Sequence, residues 1–176
     1  RVPLVGLFNV YNSLAAITLT RALGVSLETA AKALYDLPPL KGRVEQFPTP
    51  TSAPKQFTAV VDYAHTPDSL TKLYEAFPNQ PKVCVLGNTG GGRDTWKRPE
   101  MGAIAEQYCD HIILTNEDPY DENPRKIVDE MIKGMSDDAP VEVIMDRRQA
   151  IKTAMERVPA GGYVLVSGKG TDPYIM

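Results

Sequence analysis

A glycine-rich stretch with three cationic side chains, GNTGGGRDTWKRPEMG at residues 87–102, is the first part of the sequence that indicates chemistry. Its cations are Arg93, Lys97 and Arg98, and a planar guanidinium can hold a carboxylate or a phosphate through two hydrogen bonds. The glycines do not follow the G-x-G-x-x-G spacing, and no Gly-Lys-Ser/Thr runs into a helix, so neither common nucleotide fingerprint is present. The stretch therefore predicts an anion site, with a solvated basic loop as the alternative.

Two further clusters contain carboxylates. In DYAHTPD, Asp62 can accept hydrogen bonds from ribose hydroxyls, and His65 can donate to a phosphate or a base. Helix capping and a satisfied surface histidine are the alternative for that cluster. In NEDPYDENP, residues 116–124, the carboxylates can bind an ammonium group or a divalent metal, or they form a solvated acidic loop.

Two smaller features complete the polar set. In SGKGTD, Lys169 stands between glycines with Asp172 nearby, which predicts either a clamp for an anion and an ammonium or a plain turn. Asn9 and Asn12 are three residues apart and share one face of a helix. Their amides can hydrogen-bond the edge of an adenine, and capping or exposure is the alternative.

Helices and short strands alternate along the chain and must position these clusters. Apolar periodicity predicts helices at 8–23 and 27–35, and the prolines of DLPPLKGR mark a boundary near Gly42. Beyond it, short apolar strands alternate with helices, one of them from Pro99 to Tyr108. This pattern is typical of an α/β fold with a mostly parallel sheet and helices on both faces. Most of the clusters follow strands, so they are expected to meet at the carboxyl edge of that sheet.

The composition restricts the classes of function. The chain has 176 residues, enough for one domain and part of another, with a net charge of −3 that weighs against nucleic-acid binding. No apolar run of about 18 residues predicts a membrane anchor. Cys84 and Cys109 both lie in apolar patterns. We therefore expect buried thiols without a disulfide, as in a reducing cytoplasm.

Six motifs together resemble the Mur ligases over nearly the whole chain. They are GLFNVYNSLAA, KGRVE, VVDYAHTPDSL, GGGRDTWKRPEMG, TNEDPYDENPRKI and GKGTD, in that order. The resemblance implies that residues 1–41 are the C-terminal helices of a central ATPase domain. Residues 42–176 would be a Rossmann-like C-terminal domain, incomplete at its C-terminus, that contacts ATP and the incoming amino acid. The phosphate loop and the magnesium ligands would lie upstream.

The resemblance also assigns roles by position. It implies one group of residues that contacts ATP, a second group that binds the amino acid, and three supporting cations. The carboxylate of the amino acid would lie at the arginine of the glycine-rich loop. The ATP group is Asn9, Asn12, Arg43, Asp62 and His65. The amino-acid group is Arg93, Asp118, Tyr120, Gly168 and Asp172, and the supporting residues are Lys97, Arg98 and Lys169. No residue of this chain is assigned as catalytic or as a metal ligand.

The implied activity is the ATP- and Mg²⁺-dependent addition of a diamino acid to UDP-N-acetylmuramoyl-L-alanyl-D-glutamate. The reaction would pass through an acyl phosphate and serve peptidoglycan synthesis in the cytoplasm. We expect a monomer that acts on small molecules, without nucleic-acid or membrane partners, and a fragment that is inactive alone. The alternatives are a folylpolyglutamate-type ligase, a non-catalytic amino-acid-binding module and, least favoured, a dinucleotide-dependent oxidoreductase.

The chain departs from the family pattern at two points. Asp118-Pro119-Tyr120 stands where the family has the Asn-Pro-Arg that selects diaminopimelate, and Thr171-Asp172 stands where it has His-Glu. The first change removes a bidentate carboxylate partner and adds a negative charge, so it disfavours a second carboxylate on the amino acid. The choice among diaminopimelate, lysine and another diamino acid therefore stays open.

Overall fold

The computed structural model of this chain describes residues 3–92 and 94–176, and the chain divides into two compact units, Arg1–Leu40 and Lys41–Met176. Within the described ranges, no helix combines the length and the apolarity that a membrane span requires. Arg93, one of the predicted anion-binding residues, lies outside the described residues.

The first unit consists of two helices, α1 (Leu7–Ala22) and α2 (Leu27–Tyr35). Ser26 caps α2, since its side chain accepts a hydrogen bond from the Thr29 N–H, as helix N-termini require. Much of the apolar surface of these helices is exposed. The most exposed large side chains are Leu7, Tyr11, Leu19, Leu23 and Tyr35.

The second unit is built on a six-stranded sheet whose order is β1-β2-β6-β3-β4-β5. The strands are β1 (Glu45–Pro48), β2 (Thr58–Val61), β3 (Lys82–Leu86), β4 (His111–Leu114), β5 (Val141–Val143) and β6 (Tyr163–Val166). Only the β1–β2 pair is antiparallel within the described sheet, and every other neighbouring pair is parallel. The predicted α/β class with a mostly parallel sheet is confirmed.

Four helices cover this sheet. They are α3 (Pro67–Glu75), α4 (Lys97–Tyr108), α5 (Pro124–Ile132) and α6 (Arg147–Arg157). Ala150 and Ala154 of α6 pack with Val83 and Val85 of β3 in one buried cluster. Because strand side chains alternate, Cys84 points to the opposite face, where it contacts the end of α4. Helices therefore lie on both faces, as predicted.

The cysteine prediction was half wrong. Cys84 and Cys109 are both buried, as expected, but they form a disulfide with a Cα–Cα distance of 6.1 Å. Cys109 follows the last residue of α4, and α4 packs on the face of the sheet toward which Cys84 points. Two apolar segments that are separate in sequence therefore meet in the core. The disulfide removes the argument from free thiols for a reducing compartment.

Helix α4 begins at Lys97, whereas the sequence predicted a start at Pro99. A proline is usually taken as the first helical residue because it cannot donate a hydrogen bond. The first turn of any helix has N–H groups without a partner inside the helix, so a proline at the third position loses nothing. Lys97 and Arg98 therefore lie on a rigid helical turn and not on a loop.

Candidate functional site

A polar pocket of about 250 Å³ lies at the carboxyl ends of the parallel strands. Its lining consists of Tyr63, His65, Thr89, Gly90, Asp94, Lys97, Asp118, Tyr120 and Asp172. These residues come from the four polar clusters that follow strands in the sequence. The parallel sheet brings them together because all of its crossovers return the chain to the same edge.

Asp118 is paired with Lys169 at the base of the pocket. Lys169 Nζ donates to both carboxylate oxygens of Asp118, at 2.8 and 2.6 Å, and both residues are buried. The Met176 N–H donates to the same carboxylate at 2.8 Å. The negative charge that the sequence analysis assigned to Asp118 is therefore compensated from within the chain.

Tyr120 occupies the position where the family pattern has arginine, and it brings no cation to the pocket. Its φ of 51° is in the left-handed region, and its N–H donates to the Met176 carbonyl at 2.9 Å. The side chain is half-exposed at the rim. An aromatic ring at this place offers an apolar surface where a guanidinium would bind a carboxylate.

The glycine-rich loop packs directly against the loop that contains Asp118. The Gly90 N–H donates to the Asp118 carbonyl at 2.7 Å, and a Cβ at position 90 would lie 2.1 Å from the Pro119 carbonyl oxygen. Only glycine permits so close an approach of the two backbones. Gly90 is thus explained by loop–loop packing and needs no bound ligand.

Arg98 is a structural cation and is not available to a ligand. Its guanidinium, fully buried, donates to Glu122 at 3.0 Å, to Glu130 at 2.6 Å and to the Thr89 carbonyl at 3.2 Å. Burial alone would lower the pKa of Arg98, but the hydrogen bonds to the two glutamates outweigh it and raise that pKa. Arg98 therefore joins loops and does not present its guanidinium to an anion, whereas the anion site of the glycine-rich stretch as a whole stays a prediction.

Glu122 receives a second contact that completes this connection. The Gly92 N–H donates to Glu122 at 2.7 Å. The hydrogen bond from Arg98, followed by that from Gly92, lowers the pKa of the Glu122 carboxyl to about 2. One carboxylate thus binds the glycine-rich loop and the start of α4 to the acidic loop.

A buried carboxylate behind the pocket was not recognised as such from the sequence. Thr89 Oγ1 donates to Glu117 at 3.2 Å, and burial raises the pKa of Glu117 although the charge of nearby Arg147 lowers it. Arg147 also donates to the Asn116 carbonyl at 3.2 Å and to the Ser167 carbonyl at 2.7 Å, so it connects the ends of β4 and β6. Arg147 is the first residue of α6, where a cation opposes the helix dipole. This unfavourable placement was the sequence signal that Arg147 has a structural partner.

Gly168 lies directly against that carboxylate. Its φ is +97°, and a Cβ there would lie 1.9 Å from Glu117 Oε2. The family resemblance implied that Gly168 contacts the amino acid. The structure places it behind the pocket lining, where its lack of a side chain makes room for Glu117.

The residues predicted to contact ATP fall into two groups. In the second unit, Arg43 lies over the Tyr63 ring, 4.4 Å from its centre, and His65 Nδ1 is 2.8 Å from the Tyr63 carbonyl. Asp62 accepts the Val44 N–H at 2.8 Å and the Ala64 N–H at 2.7 Å, so its carboxylate already shapes the turn. A ribose contact by Asp62 stays a prediction.

The other predicted ATP contacts lie in the first unit. Asn9 Nδ2 donates to the Val5 carbonyl at 2.7 Å, and Asn12 Nδ2 donates to Asn9 Oδ1 at 3.3 Å. Gly6, and not Asn9, occupies the N-cap position of α1. The role of both amides toward an adenine stays a prediction.

Metal binding finds no support among residues 3–92 and 94–176, which contain no group of three or more His, Cys, Asp or Glu side chains that could hold an ion. No step of the chemistry is assigned to a metal held by this chain.

Comparison with known families agrees with this architecture. The family model described as "Mur ligase, glutamate ligase domain" matches residues 42–170, most of the chain. The chain belongs to the Mur ligase family.

The named relatives come from one branch of that family. The chain is 44% identical over 175 residues to the UDP-N-acetylmuramoyl-L-alanyl-D-glutamate–2,6-diaminopimelate ligase of Thermosynechococcus vestitus, covering 98% of this chain and 35% of the relative. Identity to the enzyme of the same name from Chlorobaculum tepidum is 43% over 178 residues, with 99% and 34% covered. The chain thus spans about a third of the length of the curated relatives it matches.

Solved structures show the same likeness. A structure of a UDP-N-acetylmuramoyl-L-alanyl-D-glutamate–2,6-diaminopimelate ligase matches with a TM-score of 0.65 and 33% identity, covering 99% of this chain and 35% of that one. A folylpolyglutamate synthase of Mycobacterium tuberculosis matches with a TM-score of 0.73 at 20% identity, covering 96% and 39%. The second likeness shows the fold alone.

Proposed function

We propose that this chain is the amino-acid-binding part of an ATP-dependent ligase that adds a diamino acid to UDP-N-acetylmuramoyl-L-alanyl-D-glutamate in peptidoglycan synthesis. The observation that supports it most is the pocket at the strand ends, where Lys97 and Asp172 offer both signs of charge to an amino acid. The names of the relatives at 43–44% identity support the same reaction. Residues 1–41 would be the last helices of the central ATPase domain, and 42–176 the C-terminal domain.

The proposed reaction has two steps. The terminal phosphoryl group of ATP passes to the carboxylate of the muramyl dipeptide, which gives an acyl phosphate and ADP. The amine of the amino acid then attacks the acyl carbon, the C–N bond forms, phosphate leaves and the nitrogen loses a proton. This chain contributes by holding the amino acid and orienting its amine, which accelerates the attack by proximity. Mg²⁺, when bound in the complete protein, would neutralise phosphate charge.

The proposed ATP contacts are those that the family resemblance gives by position. Arg43 would reach the phosphates, with His65 beside the nucleotide and Asp62 at the ribose. Asn9 and Asn12 would face the adenine. The cation–π contact of Arg43 with Tyr63 leaves guanidinium N–H groups free to donate to phosphate oxygens, which supports its assignment.

The amino acid is proposed to carry a second amine, and its second carboxylate is in question. In this pocket Tyr120 supplies no cation, and Lys169 is occupied by Asp118. The second carboxylate of a dicarboxylic diamino acid would therefore find no cation at Tyr120 or Lys169, which favours a monocarboxylic diamino acid. The location is proposed as cytoplasmic and the protein as a monomer that binds small molecules only, on the strength of the family.

A substrate panel in the full-length protein tests this function. UDP-muramyl dipeptide, ATP and Mg²⁺ are incubated with meso-diaminopimelate, L-lysine, L-ornithine or L-glutamate, and the tripeptide product is measured by mass spectrometry. We expect product with at least one diamino acid, none with glutamate, and none from the 176-residue chain alone. Transfer of glutamate to a folate acceptor instead would establish the folylpolyglutamate-type alternative. Binding of an amino acid without ATP turnover by the full-length protein would favour the non-catalytic module.

A further inference from the structure

Lys97 differs from the other buried lysines of the described chain. Lys82, Lys97 and Lys169 are all at most 8% exposed. Lys82 Nζ donates to the Gln80 carbonyl, and Lys169 Nζ donates to Asp118 and to the Tyr174 carbonyl. For Lys97 Nζ, no residue in ranges 3–92 and 94–176 accepts a hydrogen bond or forms an ion pair.

An ammonium group in this position needs an acceptor. It has three N–H donors, and because the rest of the side chain is buried, these donors can meet acceptors only on the pocket side. Lys97 lines the polar pocket at the strand ends, so the space in front of it is the space that a ligand would fill. The acceptor that the protein does not supply is therefore best supplied by the ligand.

The position of Lys97 is also rigid. It is the first residue of α4, and its neighbour Arg98 is held by Glu122 and Glu130. The positive end of the helix dipole adds to its attraction for an anion. Lys97 is thus a fixed cation that faces the pocket and has no internal partner in the described chain.

We propose that Lys97 Nζ binds the carboxylate of the amino-acid substrate directly, an inference that rests on the proposed function. A carboxylate is favoured over a phosphate because Asp94 and Asp172 line the same pocket, while Lys169 already compensates the charge of Asp118. Two aspartates repel a polyphosphate, whereas they can accept hydrogen bonds from the ammonium groups of an amino acid. The contact is separate from the one that the family resemblance gives to Arg93.

The test compares an amino acid with its carboxamide in the full-length protein. Binding of L-lysine, L-ornithine and meso-diaminopimelate is measured by calorimetry, and the tightest of them is compared with its α-carboxamide, L-lysinamide in the case of lysine. We expect Lys97→Met to weaken binding of the acid by about 10- to 100-fold, the usual size of a charge-assisted hydrogen bond. Binding of the carboxamide should stay unchanged, and Lys97→Arg should restore part of the loss.

Lys152→Met serves as the control, since Lys152 lies on α6 with its side chain 70% exposed. It should bind like the unmodified protein, and thermal melting should show that both methionine variants are folded. Equal weakening of acid and carboxamide, a loss confined to ATP, or no binding of any of the three amino acids to the unmodified protein would each refute the proposal. Lys97→Met could lose the preference for the acid while the unmodified full-length protein forms no muramyl tripeptide in the substrate panel. In that case the Lys97 contact stands and the proposed function fails.

Discussion

Gly168 and Glu117 form a pair in which a missing side chain makes room for a buried carboxylate. Glu117 is 3% exposed, and its Oε2 lies where a Cβ on residue 168 would be. The carboxylate is held by Thr89 and lies close to the charge of Arg147. Any side chain at residue 168 would push this carboxylate away from partners that the fold has already fixed.

We therefore predict that Gly168→Ala is more costly than a comparable change elsewhere. Gly161 also has positive φ, at +78°, but a Cβ there would meet nothing within 4 Å. Gly161→Ala should lower the free energy of unfolding by about 1 kcal/mol through backbone strain alone. Gly168→Ala should cost about 3 kcal/mol, because overpacking against Glu117 adds to the strain. Urea unfolding measures both, and equal losses would contradict the proposed pairing.

At this scale the sequence identified residue types but not their partners. Lys97, Arg98 and Lys169 were all recognised as cations near a site, yet Lys169 pairs with Asp118, Arg98 is enclosed by glutamates and Lys97 faces the pocket. These three outcomes depend on which loops meet at the sheet edge, and local spacing does not contain that information. The partner of a charged side chain was therefore beyond sequence reasoning.

The Arg98–Glu122 contact joins elements that are far apart in sequence. Arg98 belongs to the first turn of α4, and Glu122 to the loop before α5. Glu122 also accepts the Gly92 N–H from the glycine-rich loop. The acidic and glycine-rich segments thus behave as one bound unit around the pocket.

The stability that this contact provides should depend on pH with a definite sign. The pKa of Glu122 falls from its ordinary 4.5 to about 2 in the folded chain, so the contribution is complete above pH 4.5. It decreases as pH falls toward 2, where the carboxylate becomes protonated in both states. The difference in urea midpoint between the unmodified chain and Glu122→Gln should be constant from pH 7 to 5 and shrink between 4.5 and 2.

A matched control separates this effect from general acid denaturation. Glu156 is an exposed residue of α6, and Glu156→Gln should leave the midpoint close to that of the unmodified chain at every pH. A difference for Glu122→Gln that is the same at pH 7 and at pH 2 would show that the carboxylate does not act through its charge.

The elements themselves followed well from local patterns, because strand and helix signals are local. Helices were predicted at residues 8–23 and 27–35, and α1 and α2 occupy Leu7–Ala22 and Leu27–Tyr35. The start of α4 was missed because a proline is tolerated anywhere in the first helical turn. The disulfide between Cys84 and Cys109 was missed for another reason, since it depends on how α4 packs on the sheet.

The two units of the chain bury their large apolar side chains to different extents. The second unit encloses a core of strand residues that are fully buried, among them Val60, Val85, Ile113 and Leu165. The first unit has two helices and exposes most of its large apolar side chains. Motif order alone led to the family, whereas the difference in burial between the two units could be seen only in the structure.

We predict that residues 41–176 fold without the first unit, whereas residues 3–40 do not fold by themselves. The sheet of the second unit has six strands and a core on both faces, which is sufficient for a cooperative domain. Helices of 16 and 9 residues with exposed apolar faces are marginal in water without further packing. Far-UV circular dichroism of the two pieces tests this. The larger piece should unfold in one sharp transition, and the smaller should show little helix and no transition. A cooperative transition in residues 3–40 would mean that α1 and α2 bury enough surface against each other to be a domain, against the exposure seen for Leu19 and Leu23.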